Sequence, residues 1–290
     1  MQIVASSAAT IEATFTDQHG DEVDPSGDVT VLVVSSDGSV VVASDTPATK
    51  VGGGSGRVTA SLTAEQTAQV DQLTATFSST TGSVVEIVDI VGAVYASVAT
   101  IRASDDSLSE EFYTPEVVRD RREEVEVEFE SAQATGVAWV PRFAVDRLEW
   151  DGRSLIVLTR TKLRSVRWMR IYSTPSVFVT VDSDTLAAIP ADEFGFIDPT
   201  GLSLPAGTRV DLGYEHGYDR PLPDIFEAFL VAVRHRLNEP DHGVDDRATA
   251  IHTQEGVMPL ATPGINGAVT GIPRVDVVLQ RHPHGRALIA

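Results

Sequence analysis

The chain has 290 residues, a formal net charge of −20 at pH 7 and no cysteine. That length allows one or two domains with an ordinary buried core, the lack of cysteine excludes a disulfide framework and any thiolate metal site, and the acidic excess argues against tight nucleic-acid binding, which needs basic side chains to neutralise phosphate. No apolar run approaches the roughly 20 residues of a membrane span, and Met1-Gln2-Ile3-Val4 has neither the basic nor the apolar region of a signal peptide, so the expectation is a protein made soluble in the cytoplasm with no membrane partner.

Residues 1–92 read as short strands broken by turns. Thr10–Thr16 alternates apolar and polar residues (Ile11, Ala13, Phe15), as a half-buried strand does. Asp17–Asp28 is polar, Val29–Val34 reads as a buried strand, and Ser36-Asp37-Gly38-Ser39 is a hairpin turn leading into Val40-Val41-Val42. Gly52–Gly56 is a flexible connection. Val58–Leu62, Leu73–Phe77 and Val84–Val91 continue the pattern, with Ala64–Val70 as one helical turn between strands. Strands at this spacing suggest an immunoglobulin-like sandwich.

Helical signals begin at Tyr95–Arg102, followed by a polar loop over Ser104–Glu111. In the next helix Thr114 is the cap, Pro115 takes the first position and Glu116 favours the positive end of the dipole. Val118, Val125, Phe129 and Ala132 form its buried stripe, and Gly136 is its left-handed stop. Residues 137–181 turn to strands. Arg147–Trp150 and Arg153–Leu158 flank Asp151-Gly152, a hairpin signal; Val166–Tyr172 and Val177–Val181 flank Ser173–Ser176. Phe194–Pro199 reads as a loop and Thr208–Tyr214 as a final strand. Pro223 then opens a long helix with Ile225, Phe226, Phe229, Leu230, Val233 and Leu237 at helical spacing. Ala228, Val231 and Ala232 fill much of the rest, so the helix should be buried on most sides. Asn238, Glu239 and Pro240 stop it. A short helix over Pro273–Gln280 follows an irregular segment. The fold class is therefore α+β: an N-terminal all-β immunoglobulin-like sandwich over 1–92, then a small helical bundle over 93–290 with a β-ribbon insertion at about 143–214.

No cluster marks a metal site. Asp17, Asp21, Glu22, Asp24 and Asp28 lack the spacing that wraps a loop around one calcium ion and read as a solvated turn. Histidines 216, 235, 242, 252, 282 and 284 gather in the C-terminal third, but His282 and His284 alone make a weak site, and His235 is expected in a helix core. There is no nucleophile elbow and no phosphate-binding loop, since Gly52–Gly56 has no Lys-Ser/Thr after it. Nothing points to an enzyme or a cofactor.

Two charge features are more informative. Between Gly152 and Val181 stand six basic residues and no acidic one: Arg153, Arg160, Lys162, Arg164, Arg167 and Arg170. This segment reads either as a docking or DNA-touching surface or as an exposed ribbon charged against edge-to-edge aggregation. On the 115–132 helix, Asp120, Glu124 and Glu128 stack on one ridge, where like charges cost about 0.2–0.5 kcal/mol per pair in an isolated helix. Arg119–Glu123 and Arg122–Glu126 are opposite-charge pairs at the same spacing. The ridge reads either as a solvated face or as an acidic wall that meets the basic segment.

The order and spacing of several segments carry a resemblance: Glu124–Phe129 followed by Thr135-Gly136-Val137-Ala138-Trp139-Val140-Pro141-Arg142; Tyr214-Glu215-His216-Gly217; the Pro-rich entry to the helix ending Arg234-His235-Arg236-Leu237; Asp246-Arg247-Ala248-Thr249; Thr253 to Leu260; Ala261-Thr262-Pro263-Gly264; and Thr270-Gly271-Ile272-Pro273-Arg274-Val275-Asp276. Over roughly residues 65–281 the chain resembles the head-to-tail adaptor (connector, head completion or neck) proteins of long-tailed bacteriophages, those of actinobacteria in particular. The resemblance implies a structural virion protein, made in the host cytoplasm, that forms a dodecameric ring joining the portal protein to the tail or the next neck protein. DNA would pass through the channel without specific binding, and an acidic lumen would repel its phosphates. Other neck roles, such as stopper or tail completion, stay open, as does a carbohydrate-binding surface protein; the latter would want an aromatic platform on 1–92, where only Phe15 and Phe77 stand. Within the adaptor reading, Arg160, Lys162, Arg164 and Arg167 are the expected interface cations. The tail 282–290, ending in an apolar pair at Leu288 and Ile289, is expected to dock on the portal or a neighbouring subunit as an added strand.

Overall fold

The computed structural model describes the chain apart from residues 53–55, 132–133, 153–154, 203, 239–249, 254–255, 260–268 and 283–290, and describes 250–253 and 256–259 by backbone alone. The architecture is α+β. The described residues divide into two compact units, each discontinuous in sequence: Met1–Ala93 with Pro141–Gly217, and Val94–Val140 with Tyr218–Ala290.

The first unit opens with a two-sheet sandwich. Strands β1 (Gln2–Val4), β3 (Thr30–Val34), β4 (Val40–Pro47), β7 (Asp71–Ser79) and β8 (Gly82–Val91) form one sheet in the order β1-β8-β7-β3-β4. Strands β2 (Ala9–Thr14), β5 (Thr49–Lys50) and β6 (Arg57–Leu62) form the other, in the order β2-β6-β5. β1 runs parallel to β8, and every other pairing in the two sheets is antiparallel. Period-2 alternation sends Ile11, Ala13, Val58 and Leu62 of the small sheet against Val31, Val33, Leu73, Ala75, Phe77, Val88 and Ile90 of the large one. Because Phe15 and Phe77 belong to this core, neither offers an aromatic platform at the surface. β1 was not expected from the sequence; three residues are too few to show an alternation.

The same unit contains a second antiparallel sheet in the order β12-β11-β14-β9, built from β9 (Arg142–Trp150), β11 (Leu163–Thr174), β12 (Val177–Thr180) and β14 (Thr208–His216). Among the described residues, the strands expected to flank Asp151-Gly152 do not pair with each other. Gly152 adopts the turn's positive φ of 83°, but β10 (Ile156–Val157) pairs with β13 (Phe196–Ile197) and not with β9. The reason is burial: Ile156, Leu158 and Ile197 cover Met169, Val210, Leu212 and Tyr214 on one face of the sheet. The Phe194–Pro199 loop thus contains a short strand, and α3 (Ser183–Ala188), capped by Asp182, lies in a stretch where no helix was expected.

Trp168 joins sandwich and sheet within this unit. Its indole lies against Gly213 on the neighbouring strand, and its Nε1 donates to Ser36 Oγ at 2.9 Å. Arg170 covers Trp168, with its guanidinium carbon 4.7 Å from the ring centroid, and donates to the Asp37 carbonyl. The turn expected at Ser36–Ser39 is therefore also one of the sandwich's contacts with the sheet.

The second unit is helical: α1 (Val98–Ala103), α2 (Pro115–Glu130), α4 (Pro223–Asn238) and α5 (Pro273–Arg281), with a small antiparallel pair, β15 (Ala250–Thr253) and β16 (Gly256–Pro259). α2 begins as its sequence dictates, with Thr114 accepting from the Val117 N–H and Pro115 next. It ends at Ser131; Gly136, at φ 63°, lies past that cap and its N–H donates back to the Ser131 carbonyl at 2.8 Å. Val118, Val125 and Phe129 are buried as expected, while Ala132 lies outside the described residues. Phe129 meets Phe229 of α4 edge-on at 5.9 Å and Tyr95 at 6.4 Å. α4 buries one face, Ile225, Ala228, Phe229, Ala232, Val233 and Leu237, and leaves Phe226, Leu230 and Val231 only half-covered. His235, expected in the core, is exposed.

One substitution tests this packing. A Cβ at residue 213 would lie 2.3 Å from both Cε2 and Nε1 of Trp168, and crowding of this kind costs about 1–3 kcal/mol. Gly213→Ala should lower the urea midpoint accordingly at unchanged m-value. An unaltered midpoint would show that the indole swings aside without loss.

Candidate functional site

The charged segments decide what surfaces the protein offers. On α2 the stripe 118, 122, 125, 126, 129 faces inward, so Arg122 and Glu126 are buried with the valines and Phe129. Glu126 is fully buried; its Oε1 accepts the Tyr95 N–H at 2.9 Å and lies 3.7 Å from Arg122 Nε. The sequence carried a signal for this burial, since both residues sit at the helical spacing of the apolar stripe. Of the two i,i+4 pairs expected, only Arg122–Glu126 is present; Arg119 binds Glu116 instead, at 2.8 Å.

The acidic ridge is shared out unevenly. Asp120 is exposed. Glu124 pairs with Arg121 at 2.7 Å on the same helix, and Glu128 pairs with Arg236 of α4 at 3.3 Å. Glu128 therefore helps fasten two helices of its own unit, while Asp120 and Glu124 face outward.

The basic segment is likewise divided. Lys162 pairs with Glu193 at 3.0 Å and Arg164 with Glu215 at 2.7 Å. Arg160 is exposed, and its N–H donates to the Tyr214 hydroxyl at 3.2 Å. Arg167 is half-buried and lines a cleft of about 530 Å³ with Ser36, Asp37, Gln69, Asp71 and Trp168. In that cleft burial pushes the Asp71 carboxyl up, whereas Asp37, against the upward pull of its own burial, is held low by hydrogen bonds from Ser35 and Ser39. Among the described residues no group of three or more His, Asp or Glu is placed to hold a metal ion. Arg153, His242, His284, Leu288 and Ile289 lie outside the described residues, as do Asp246–Thr249 and Ala261–Gly264.

Under the sheet, Asp146 accepts the Tyr214 hydroxyl at 3.0 Å, the Thr159 N–H at 2.5 Å and the Thr159 hydroxyl at 2.6 Å. Burial pushes the Tyr214 phenol far above its ordinary range, so it stays a neutral donor. Next to it His216 is buried, its Nδ1 without a hydrogen-bond partner among the described residues. Burial first, then the charges of Arg160 and Arg142, push its pKa down to about 3. Sequence reasoning gave Asp146, Thr159 and Arg142 no role, because their partners come from other strands.

Several of the segments that carry the sequence resemblance lie in the helical unit, among them 124–129, 135–140, the α4 run and 270–276. Trp139 donates to Thr135 Oγ1 at 3.2 Å, and that hydroxyl donates to the Phe129 carbonyl at 2.7 Å. Trp139 stacks on Tyr218 at 5.0 Å, with ring planes 10° apart, and meets His282 edge-on at 5.5 Å. His282 is bonded to Asp224 at 2.8 Å, and Asp276 Oδ1 accepts from the N–H groups of Val269 and Thr270 at 3.0 and 2.8 Å. Among the described residues no helix is long and apolar enough to cross a membrane.

No family model and no curated protein matches the chain. Solved structures similar to it include two from gene transfer agent particles. One, the neck of an empty gene transfer agent particle computed with C6 symmetry, is 15% identical with a TM-score of 0.43, over 68% of this chain and 93% of that one. The other, the virion of a native gene transfer agent particle, is 15% identical with a TM-score of 0.41, over 61% of this chain and 81% of that one.

Two buried groups give measurable consequences. Removing Glu126 leaves the buried Arg122 with Glu123 alone of its two carboxylates, at 3.3 Å, and breaking a buried pair from one side costs about 3–5 kcal/mol. Glu126→Ala should lose stability on that scale in chemical denaturation; a loss like that of an exposed pair would show that water reaches Arg122. His216 is neutral when folded, whereas an unfolded histidine takes up a proton below about 6.5. Its contribution is therefore complete above that pH and is lost as pH falls from there towards about 3, at up to ~1.4 kcal/mol per pH unit. His216→Phe should make stability fall less steeply between pH 6 and 4 by about that slope; equal slopes would mean that the imidazole finds solvent.

Proposed function

We propose that this chain is a structural component of the neck of a phage-like particle, the adaptor that joins the portal to the tail or to the next neck protein. One observation carries the reading. Two segments far apart in sequence that carry the resemblance to head-to-tail adaptors pack together, Phe129 against Phe229, and others are braced from within or by a neighbour: Thr135 beneath Trp139, Trp139 on Tyr218, and Asp276 folded back on Thr270. A resemblance of scattered short runs gains weight when those runs make each other's contacts.

The finer reading is a ring of identical copies, dodecameric as the resemblance implies, with the genome passing through its centre. The charge suits that role. A chain of −20 presents phosphate with repulsion instead of a counter-charge, so DNA moves past without being held. Of the four interface cations the resemblance reading names, Arg160 and Arg167 remain for contacts with other molecules, because Lys162 and Arg164 already have partners within the chain. The tail at Leu288 and Ile289 would add a further contact to the portal or a neighbouring copy.

Immunogold labelling of intact particles tests the reading directly. An antibody to this chain should place gold at the head–tail junction. Gold on the capsid shell, along the tail or at its tip would overturn the proposal.

A further inference from the structure

The outer edge of the four-stranded sheet is unusual for an exposed strand. β12 is an edge strand whose four residues are all exposed, and three of them are large and apolar: Val177 at 55%, Phe178 at 44% and Val179 at 65%. It has none of the charges or prolines that ordinarily blunt an edge. Cations flank it instead. Arg170 lies 4.9 Å from the Phe178 ring; Arg209 lies 4.3 Å from the Tyr172 ring, which itself meets Phe178 at 5.4 Å, but Arg209 is already bonded to Asp211 at 3.0 Å.

The outward face of α2 has the opposite charge with the same apolar content. Val117, Asp120, Glu124 and Val127 follow one another at steps of three and four, so they form one stripe, opposite the buried one. Val117 is 41% exposed and Val127 64%, with two carboxylates between them. Phe112, 74% exposed, stands just before the helix. Glu116 and Glu124 are held only by exposed pairs with Arg119 and Arg121 on their own helix, and such pairs contribute little, so they exchange partners readily.

We infer that the β12 edge of one copy docks on the outward face of α2 in a second copy. Apolar residues meet apolar residues, and the Arg170 guanidinium beside β12 meets Asp120 and Glu124. The charge distribution argues for a second copy as the occupant: residues 153–181 carry six basic and no acidic side chains in a chain of −20. Because the two surfaces differ, the contact is head-to-tail and repeats from copy to copy, which closes a ring when the rotation allows. The inference rests on the ring reading above and gives that ring its contact.

The absence of native cysteine makes a clean test available. Val179→Cys and Val127→Cys are made separately in the full chain, one of them with a size tag, then mixed and oxidised. The expected result is a reducible heterodimer on a non-reducing gel, and a series of higher covalent oligomers from the double variant. Adding Asp120→Lys and Glu124→Lys to the Val127→Cys chain should abolish the heterodimer at low salt. Only Val179→Cys homodimers would show edge-to-edge pairing of β12 and overturn the inference. So would rings seen by electron microscopy without the cross-link, or no cross-link at all. None of these results moves gold away from the head–tail junction, so failure here is distinguishable from failure of the neck assignment.

Discussion

The fold depends on one close approach of backbone to backbone. The first unit is interrupted after Ala93 and resumes at Pro141, and the two ends are joined where the Gly92 N–H donates to the Pro141 carbonyl at 3.0 Å. A side chain at residue 92 would meet the proline ring at 2.6 Å, so only glycine lets the strands come this near. The second unit closes its own break in the same way, with the Tyr218 N–H donating to Ala138 at 3.1 Å and Trp139 stacked on the tyrosine. Closing a long excursion costs entropy that grows only slowly with its length. Specific contacts at the closing points are therefore enough to let a chain build two units from four segments.

Electrostatics follow a similar economy. Much of the basic segment that stood out against the acidic background is used internally: Lys162 on Glu193, Arg164 on Glu215, Arg170 on Trp168 and the Asp37 carbonyl. What remains at the surface is a mixture of apolar edge and stacked guanidinium groups. That mixture is suited to contact with protein, because stacking on aromatic rings positions a cation without desolvating it fully. The acidic ridge divides in the same manner, with Glu128 turned to α4 and Asp120 and Glu124 turned outward.

Much was legible beforehand where short-range rules govern. Thr114, Pro115 and Glu116 specified the start of α2, because a cap satisfies N–H groups only two or three residues away. The alternation of Ile11, Ala13 and Phe15 marked a strand with one buried face, and the proline-led apolar run from Pro223 marked α4. Less was legible where a decision needs a partner distant in sequence. Asp151-Gly152 has the chemistry of a hairpin turn, yet the strand after it pairs with Phe196–Ile197, because Ile156 and Leu158 gain more by covering the sheet than by extending it. Arg122 and Glu126 read as an opposite-charge pair, yet both are buried, because they share the inward stripe of α2 that packs against α1 and α4.

By itself, then, the sequence determined the class, α with β, the acidic character, and the local elements whose start and stop signals lie within a helical turn or a hairpin. Tertiary structure alone decided that residues 141–217 share a compact unit with the N-terminal sandwich, that Trp168 needs Gly213, that His216 is buried and neutral, and which charges are left for other molecules. The physical reason is range. Capping and periodicity act between near neighbours and are written in order along the chain, whereas burial and charge pairing depend on which segments fold back against each other.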